Sequence, residues 1–498
     1  MNQSAGPGPG LTFSAMRVVL LLVAVAATAC LMPAQADTYW HLRAGQDLLR
    51  TGHVPLVEMY SHTARGLPWP NHEWLWQALS FALYRAGGMP LLVVVAAACA
   101  TLASALAYRL MGARPSVNFV LALVGIPLAS VVWALRPQVV SLLFLVLLIH
   151  LVTAERFWLV PFLFVVWANL HGAVALGGAA LLTATIVSWF GDRTRFRRML
   201  VVTCLSGLAT ALTPMGVGLW RFIGESMARS RQNQIMEWLP SYPRGPIEIA
   251  FWLGALALVG LIIRRWRRLD SWEDRVIVAV ALMLLPLAAR AMRNISPFFL
   301  LWMPAMSRLV GPAARLPGSP TQSSSPAATA ASGSHARPTD VEHPCLNLAL
   351  VAVAMVGAAI TVAVCWARPI ARLGWNPIPT AAARAISACP GPLYNRYNEG
   401  GYLIWFVPGV PVFIDSRQDP YPAALLSAHA TAERTGDYAR LFVQYRIGCA
   451  ALPPASPVAK ALVAAGWATA YHDEDWIVLY PPGAALTLPK VVNDNDHR

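Results

Sequence analysis

Residues 89–110 read MPLLVVVAAACATLASALAYRL, twenty residues without a charge before Arg109. A helix rising 1.5 Å per residue needs about 20 apolar residues to cross the hydrocarbon core of a bilayer. Ten more apolar runs lie on either side, giving eleven candidate spans: 15–33, 89–110, 117–134, 137–153, 157–170, 173–190, 199–215, 247–263, 276–290, 296–310 and 345–366. Several are short of about 20 residues, so they must tilt or sit off-centre. The chain is 57% hydrophobic and 12% charged, where a soluble chain carries about 25% charged residues. That balance excludes a soluble enzyme, a disordered chain and a fibrous protein. The period-2 alternation of a membrane barrel is absent, so the expected fold is a polytopic α-helical membrane protein.

The formal net charge is +14, and all but two of the 38 basic residues are arginine, the exceptions being Lys460 and Lys490. No basic stretch is interleaved with base-stacking aromatics, so nucleic acid is not an expected partner. The arginines sort by side instead. Arg109 and Arg114, Arg156, the run Arg193, Arg195, Arg197 and Arg198, and the run Arg264, Arg265, Arg267, Arg268 and Arg275 all fall on one face if the N-terminus is inside. Basic loops stay cytoplasmic, which puts the loops 34–88 and 216–246 and the region 367–498 outside. The first span has a second reading, because Arg17, an apolar run and Ala34-Gln35-Ala36 resemble a secretory signal cleaved before Asp37.

Residues 318–334, GSPTQSSSPAATAASGS, break the apolar pattern. Segment 311–344 is therefore expected to be a flexible cytoplasmic linker. It divides a transmembrane core, 1–310, from a last span, 345–366, and an extracytoplasmic α/β domain, 367–498. In that domain, 410–414 reads as a strand ending at Asp415, with Pro411 at its start or on an edge. Further strands are expected at 448–452, 467–471 and 476–480, with helices at 434–446 and 456–466. Cys389 and Cys449 are its only cysteines; they either pair in an oxidising compartment or stay as two buried thiols.

Chemistry-bearing residues concentrate in the first outer loop: Asp37-Thr-Tyr-Trp-His41-Leu-Arg-Ala-Gly45, Tyr60-Ser-His-Thr63, and Gly66-Leu-Pro-Trp69-Pro-Asn-His-Glu73-Trp74. Asp37 and His41 are four apart and share a face of any helix there. The pattern suits a carboxylate base or metal ligand at the membrane surface; equally, Asp37 would cap a helix over 38–50 and Glu73 would be a first-turn charge. Four histidines, His41, His53, His62 and His72, fall in this loop at a spacing that matches no zinc motif. A hairpin of spans 157–170 and 173–190 places the turn Asn169-Leu-His171-Gly172 on the same side as Asp37. Its polar groups are costly at that depth unless used or paired. Arg136, Arg290 and Arg293, with Asn294, lie outside against the usual charge bias, and guanidinium groups suit phosphate. Asp415 and Arg417 either bind a sugar or phosphate or close an internal ion pair.

The order D-x-x-W-H-L-x-x-G, G-x-V-P, Y-S-x-T-x-x-G-x-P-W-x-x-x-E-W after a first span resembles the bacterial GT-C glycosyltransferase superfamily, in its branch near the lipid-linked-sugar transferases. Leu135-Arg136-Pro137, Trp167-Ala-Asn169-Leu-His171-Gly172, Arg293-Asn294 and Gly400-Gly401-Tyr402-Leu-Ile-Trp405 with Ile414-Asp415-x-Arg417 extend the resemblance over most of the chain outside the linker. It implies a multi-pass protein of the bacterial cytoplasmic membrane that moves a sugar from a polyprenyl-phosphate donor to a glycan, lipid or protein acceptor on the outer face. It further implies that Asp37 is the acidic residue that the superfamily keeps after its first span and that this span is kept as the anchor of the catalytic loop; with the residue readings above, the expected catalytic residues are Asp37, His41 and Glu73 and the expected substrate-binding residues Arg136, Asn169, His171, Arg290, Arg293 and Asn294. It allows a divalent metal ion, although Asp37 stands without the adjacent acid that many relatives carry. Two other classes fit the residues: a lipid-linked glycan transporter, which predicts internal repeats that are not seen, and a non-catalytic assembly or scaffold protein, which predicts that Asp37 tolerates replacement.

Overall fold

The computed structural model describes residues 11–232, 236–269, 271–311, 343–367 and 373–483. Most of the expected linker, residues 312–342, lies outside the described residues, as do 484–498 at the end of the C-terminal region and the side chain of Arg268. Among the described residues the structure is 67% helical, with 18 α-helices. The first thirteen are α1 Phe13–Ala29, α2 Ala36–Thr51, α3 Trp74–Arg109, α4 Pro115–Ala129, α5 Gln138–Thr153, α6 Val160–Leu170, α7 Val174–Trp189, α8 Arg193–Ala209, α9 Gly218–Gln232, α10 Pro246–Arg265, α11 Trp272–Arg290, α12 Ile295–Val310 and α13 Pro344–Ala367. Each of the eleven apolar runs falls largely on one of them. Among the described residues, α3, α10 and α13 are long and apolar enough to cross a membrane, and α1 and α4 to α7 are shorter apolar helices. This architecture is compatible with a helical membrane protein.

The packing has the same character. Helix α12 is buried along nearly its whole length against α4, α10 and α11, as expected of a helix apolar all round. The outer helices turn large apolar side chains outward, among them Leu253, Leu256 and Ile263 of α10 and Val353 and Val356 of α13. So much exposed apolar surface is rare on a soluble monomer. Helix α13 lies against α1, where Trp366 Nε1 donates to the Cys30 carbonyl at 2.9 Å. The run 89–110 is a helix of its own within α3: the backbone leaves helical geometry at Gly87 and Gly88, where Gly88 has φ +64°, and the apolar run starts beyond them, with Pro90 in its first turn, where no backbone donor is needed.

Beyond α13 the chain forms α14 Thr380–Ser387, β1 Leu393–Asn395, α15 Gly400–Phe406, α16 Ala423–Thr435, α17 Ala439–Tyr445, β2 Cys449–Leu452, α18 Pro457–Ala464, β3 Ala468–His472 and β4 Ile477–Tyr480. The sheet order is β1-β2-β4-β3, with β1 and β2 parallel and the other pairs antiparallel. Cys389 and Cys449 form a disulfide, their Cα atoms 5.7 Å apart.

Two expectations are corrected. Segment 410–414 is not a strand of the sheet. It makes one isolated parallel bridge, Val412 to Ser61, and the Asn395 side chain takes the place of a neighbouring strand: Phe413 N donates to Asn395 Oδ1 at 2.8 Å and Asn395 Nδ2 to the Ile414 carbonyl at 2.7 Å. The helix expected over 434–446 is broken, because Gly436 at φ +80° ends α16 before α17 begins.

The C-terminal region sits on the first outer loop through close backbone approaches. A Cβ on Gly401 would lie 2.1 Å from the Ala36 carbonyl oxygen, so α15 and the start of α2 touch only because that residue is glycine. Replacing Gly401 with Ala should lower the thermal midpoint of the detergent-solubilised protein by the equivalent of about 1–3 kcal/mol or more. Gly409→Ala, with nothing within 4 Å of its Cβ position, should leave it unchanged. Equal midpoints for the two variants would show that this contact does not hold the region in place.

Candidate active site

Four parts of the chain meet around one cavity of about 840 Å³. The first outer loop contributes Asp37, Trp40, His41, His72 and Glu73. The helical core contributes Arg136, His171, Arg293 and Asn294, and the C-terminal region contributes Tyr397, Ser416, Gln418 and Asp419. Loop 216–246 adds Phe222, Ile223, Glu237 and Trp238. One wall is apolar, with Ala175, Leu176 and Ala179 from α7 and Leu287 from α11.

Asp37 is not a helix cap. Gln35 is the N-cap of α2, in a reciprocal box with Thr38, and Asp37 lies in the first turn. Its carboxylate is held from three sides. Arg136 Nη1 donates to Oδ2 at 2.9 Å, Trp40 Nε1 donates to Oδ1 at 3.1 Å, and the Ser416 hydroxyl donates to Oδ1 as well. His41, one turn on, does not join Asp37; it turns to Glu73.

Glu73 immediately precedes α3 and makes no side-chain capping bond. Its Oε2 faces His41 Nε2 at 3.5 Å, while Oε1 faces His72 Nε2 at 3.5 Å and His171 Nε2 at 3.6 Å. Ser141 Oγ lies 2.8 Å from His171 Nδ1 and fixes that ring. Burial alone would raise the Glu73 carboxyl, but the three imidazoles outweigh it and hold the group well below the usual carboxylate range. Burial dominates for His41 and His171, lowering them to about 4 and about 3. For His72 burial is outweighed by the Glu73 carboxylate, and its pKa is raised. The site thus holds an ionised carboxylate beside two imidazoles that burial keeps neutral, His41 and His171, and a third, His72, whose protonated form the carboxylate favours.

The third element is an arginine pair. Arg136 Nη2 donates to Glu237 Oε2 at 2.8 Å and Arg293 Nη1 to Glu237 Oε1 at 3.3 Å. The Arg293 guanidinium also stacks 4.5 Å from the Trp238 ring centroid. Burial pushes the Glu237 carboxyl up, but Arg293 and Arg136 more than offset it, and the pKa is lowered.

Of the residues singled out in the sequence, Asp37, His41, Glu73, Arg136, His171, Arg293 and Asn294 line this cavity. Asn169 and Arg290 do not. Asn169 is buried in the helix packing, accepting from Trp74 Nε1 at 2.7 Å and donating to the carbonyls of Val165 and Leu212. Arg290 is exposed at the end of α11. Asp415 and Arg417 form the internal pair: Arg417 Nε donates to Asp415 Oδ1 at 2.8 Å, and both residues are buried. The sequence assigned no site role to His72, which stood out only as one of four histidines of the loop, nor to Glu237 and Ser416. Glu237 had a signal, a lone acid between Met236 and Trp238 in an outer loop, and His72 sits beside Glu73 in the quoted stretch.

Among the described residues, no group of three or more His, Cys, Asp or Glu side chains is arranged to hold a metal ion. Asp37 already accepts from Arg136, Trp40 and Ser416, and the three imidazole Nε2 atoms each face a Glu73 oxygen. The divalent ion allowed by the resemblance does not fit this donor set.

The buried histidines make stability depend on pH. Unfolded histidine takes up a proton near pH 6.5, whereas folded His41 and His171 stay neutral down to about 4 and 3. The unfolded state then binds more protons across that window. Stability present above pH 6.5 is lost on acidification, by up to about 1.4 kcal/mol per pH unit for each histidine. His72, shifted upward, acts only above the window. The thermal midpoint should fall from pH 7 to 5, and His41→Gln or His171→Gln should flatten the fall; a flat profile for the unaltered protein would contradict neutral buried imidazoles.

No family model matches this chain, and a comparison with curated proteins finds no match, so a reading of the site rests on its own geometry.

Proposed function

We propose that the protein is a membrane glycosyltransferase that moves a sugar from a polyprenyl-phosphate donor to an acceptor on the outer face of a bacterial cytoplasmic membrane. One observation carries this reading. The cavity joins a polar end, with Arg136, Arg293, Asp37 and Glu73, to an apolar wall of Ala175, Leu176, Ala179 and Leu287 on helices of the core. An amphipathic ligand with an anionic head and a hydrocarbon tail suits both ends at once.

In this reading eleven helices span the membrane, the N-terminus is inside, and the C-terminal α/β domain is outside, roofing the cavity. The donor phosphate meets the arginine pair, whose planar donors suit phosphate oxygens. As the acceptor hydroxyl attacks the anomeric carbon, the bond from that carbon to the phosphate oxygen breaks. The electron pair leaves with the polyprenyl phosphate, and the hydroxyl proton passes to the Asp37 carboxylate. Arg136 contacts Asp37 and would contact the phosphate, so one side chain sets the distance between proton acceptor and leaving group. Glu73 is a poor proton acceptor, because its histidines hold it ionised far below working pH. Its fixed negative charge instead offsets positive charge developing on the sugar ring.

Asp37→Asn keeps the size of the side chain, and Arg136 retains Glu237 as partner. The variant should fold, while loss of a positioned base typically costs about 10²–10⁴-fold in rate. Mass spectrometry of surface glycans in a deletion strain should show a missing modification that the unaltered gene restores and Asp37→Asn does not. A folded Asp37→Asn protein that restores it fully would remove Asp37 as the base and favour the scaffold reading. Reporter fusions test the topology: one after residue 195 should read cytoplasmic and one after residue 400 extracytoplasmic, and an inside signal at 400 would overturn the outer-face site.

A further inference from the structure

We propose that Glu237 is a specificity-determining residue: its carboxylate occupies the arginine pair as an internal anion, and the donor's phosphate must displace it. The inference rests on the donor reading above and adds to it a named competitor.

The geometry is that of a filled anion site. The two Glu237 oxygens are divided between two arginines, Oε2 on Arg136 and Oε1 on Arg293. These arginines come from distant parts of the chain, one just before α5 and the other between α11 and α12, and they converge on this one carboxylate. Two half-buried guanidinium groups side by side repel each other and lose part of their hydration, so an unmatched pair would be costly. Glu237 removes that cost. The carboxylate is also planar and bidentate, so it spans donors that would otherwise span a phosphate.

Charge balance gives the consequence. With Glu237 in place, Arg136 and Arg293 are matched by Asp37 and Glu237, and no positive charge is left over for a further anion. With the Glu237 side chain rotated away, one positive charge is uncovered. That suits a phosphodiester, which carries one charge, and a sugar linked through a single phosphate has that chemistry. A carrier linked through a pyrophosphate brings a second charge for which the pair has no partner.

The experiment measures binding of geranyl phosphate, with geraniol as the uncharged control, to the full chain in detergent at about pH 5, below the second phosphate pKa of about 6, so that the probe carries one charge. Glu237→Gln keeps the shape and removes the competing charge. Charge-assisted hydrogen bonds are strong enough that geranyl phosphate should bind about ten-fold tighter to this variant, while geraniol should be unaffected. Arg293→Ala should weaken geranyl phosphate by at least as much. Unchanged or weaker geranyl phosphate binding to Glu237→Gln, with Arg293→Ala still weakening it, would overturn the competitor and leave the donor reading standing. Equal tightening of geraniol would mean that the variant only opens space, which also overturns it. No effect of Arg293→Ala would overturn the donor reading itself. Should Glu237→Gln not fold, Glu237→Asp retains the charge but withdraws it by one methylene. It should tighten geranyl phosphate by a smaller factor, and no change there counts against the proposal.

Discussion

A single buried guanidinium ties the C-terminal region of this protein to the loop between α2 and α3. Arg417 is engaged by Asp415 from its own segment and by Glu58 from the first outer loop, with Nη1 2.5 Å from Glu58 Oε2. Tyr60 and Trp69 of the same loop flank its charge, their ring centroids 5.0 and 4.6 Å away. A buried ion pair contributes only where its remaining polar atoms are also satisfied. Here Tyr421 donates to Asp415, and the backbone N–H groups of Tyr60 and Ser61 donate to Glu58 Oε1 at 2.8 and 2.6 Å. This knot fixes the residue next to Arg417. Ser416 reaches Asp37, while Gln418 and Asp419 enter the cavity wall. An outer domain that drifted by one residue would lose the knot and would withdraw a hydrogen bond from Asp37 as well.

The helical part of the fold was legible because its cause is local. Twenty uncharged residues in a row have few places to go other than a buried or lipid-facing helix, and the apolar runs all fall on helices. Within the C-terminal region the strands at β2, β3 and β4 were visible as short apolar runs. Segment 410–414 looked the same yet joins no sheet, because what decides it is a side chain from elsewhere, Asn395, and not its own composition. The site divides in the same way. Asp37, Glu73 and the arginines stood out because polar groups beside apolar runs are expensive. Asn169 met that criterion too, but its use is structural: it satisfies Trp74 and two carbonyls in the helix packing. Cost marks a residue as employed; it does not say by whom. Glu237 shows the converse, since its importance depends on two arginines more than fifty residues away on either side.

The arrangement of charge follows from that expense. Burial makes each ionised group costly on its own, and the protein answers by chaining them: Asp37 to Arg136, Arg136 to Glu237, Glu237 to Arg293. Glu73 sits apart, ringed by histidines instead of arginine. The two carboxylates therefore differ in kind. Arg136 is shared between Asp37 and Glu237, so an anion competing for Arg136 would change the surroundings of Asp37. Glu73 is held chiefly by His72, whose protonated form the carboxylate favours in return, while burial keeps His41 and His171 neutral. The two carboxylates face the same space, one through a shared arginine and one through imidazoles, so an entering anion would act more directly on the first than on the second.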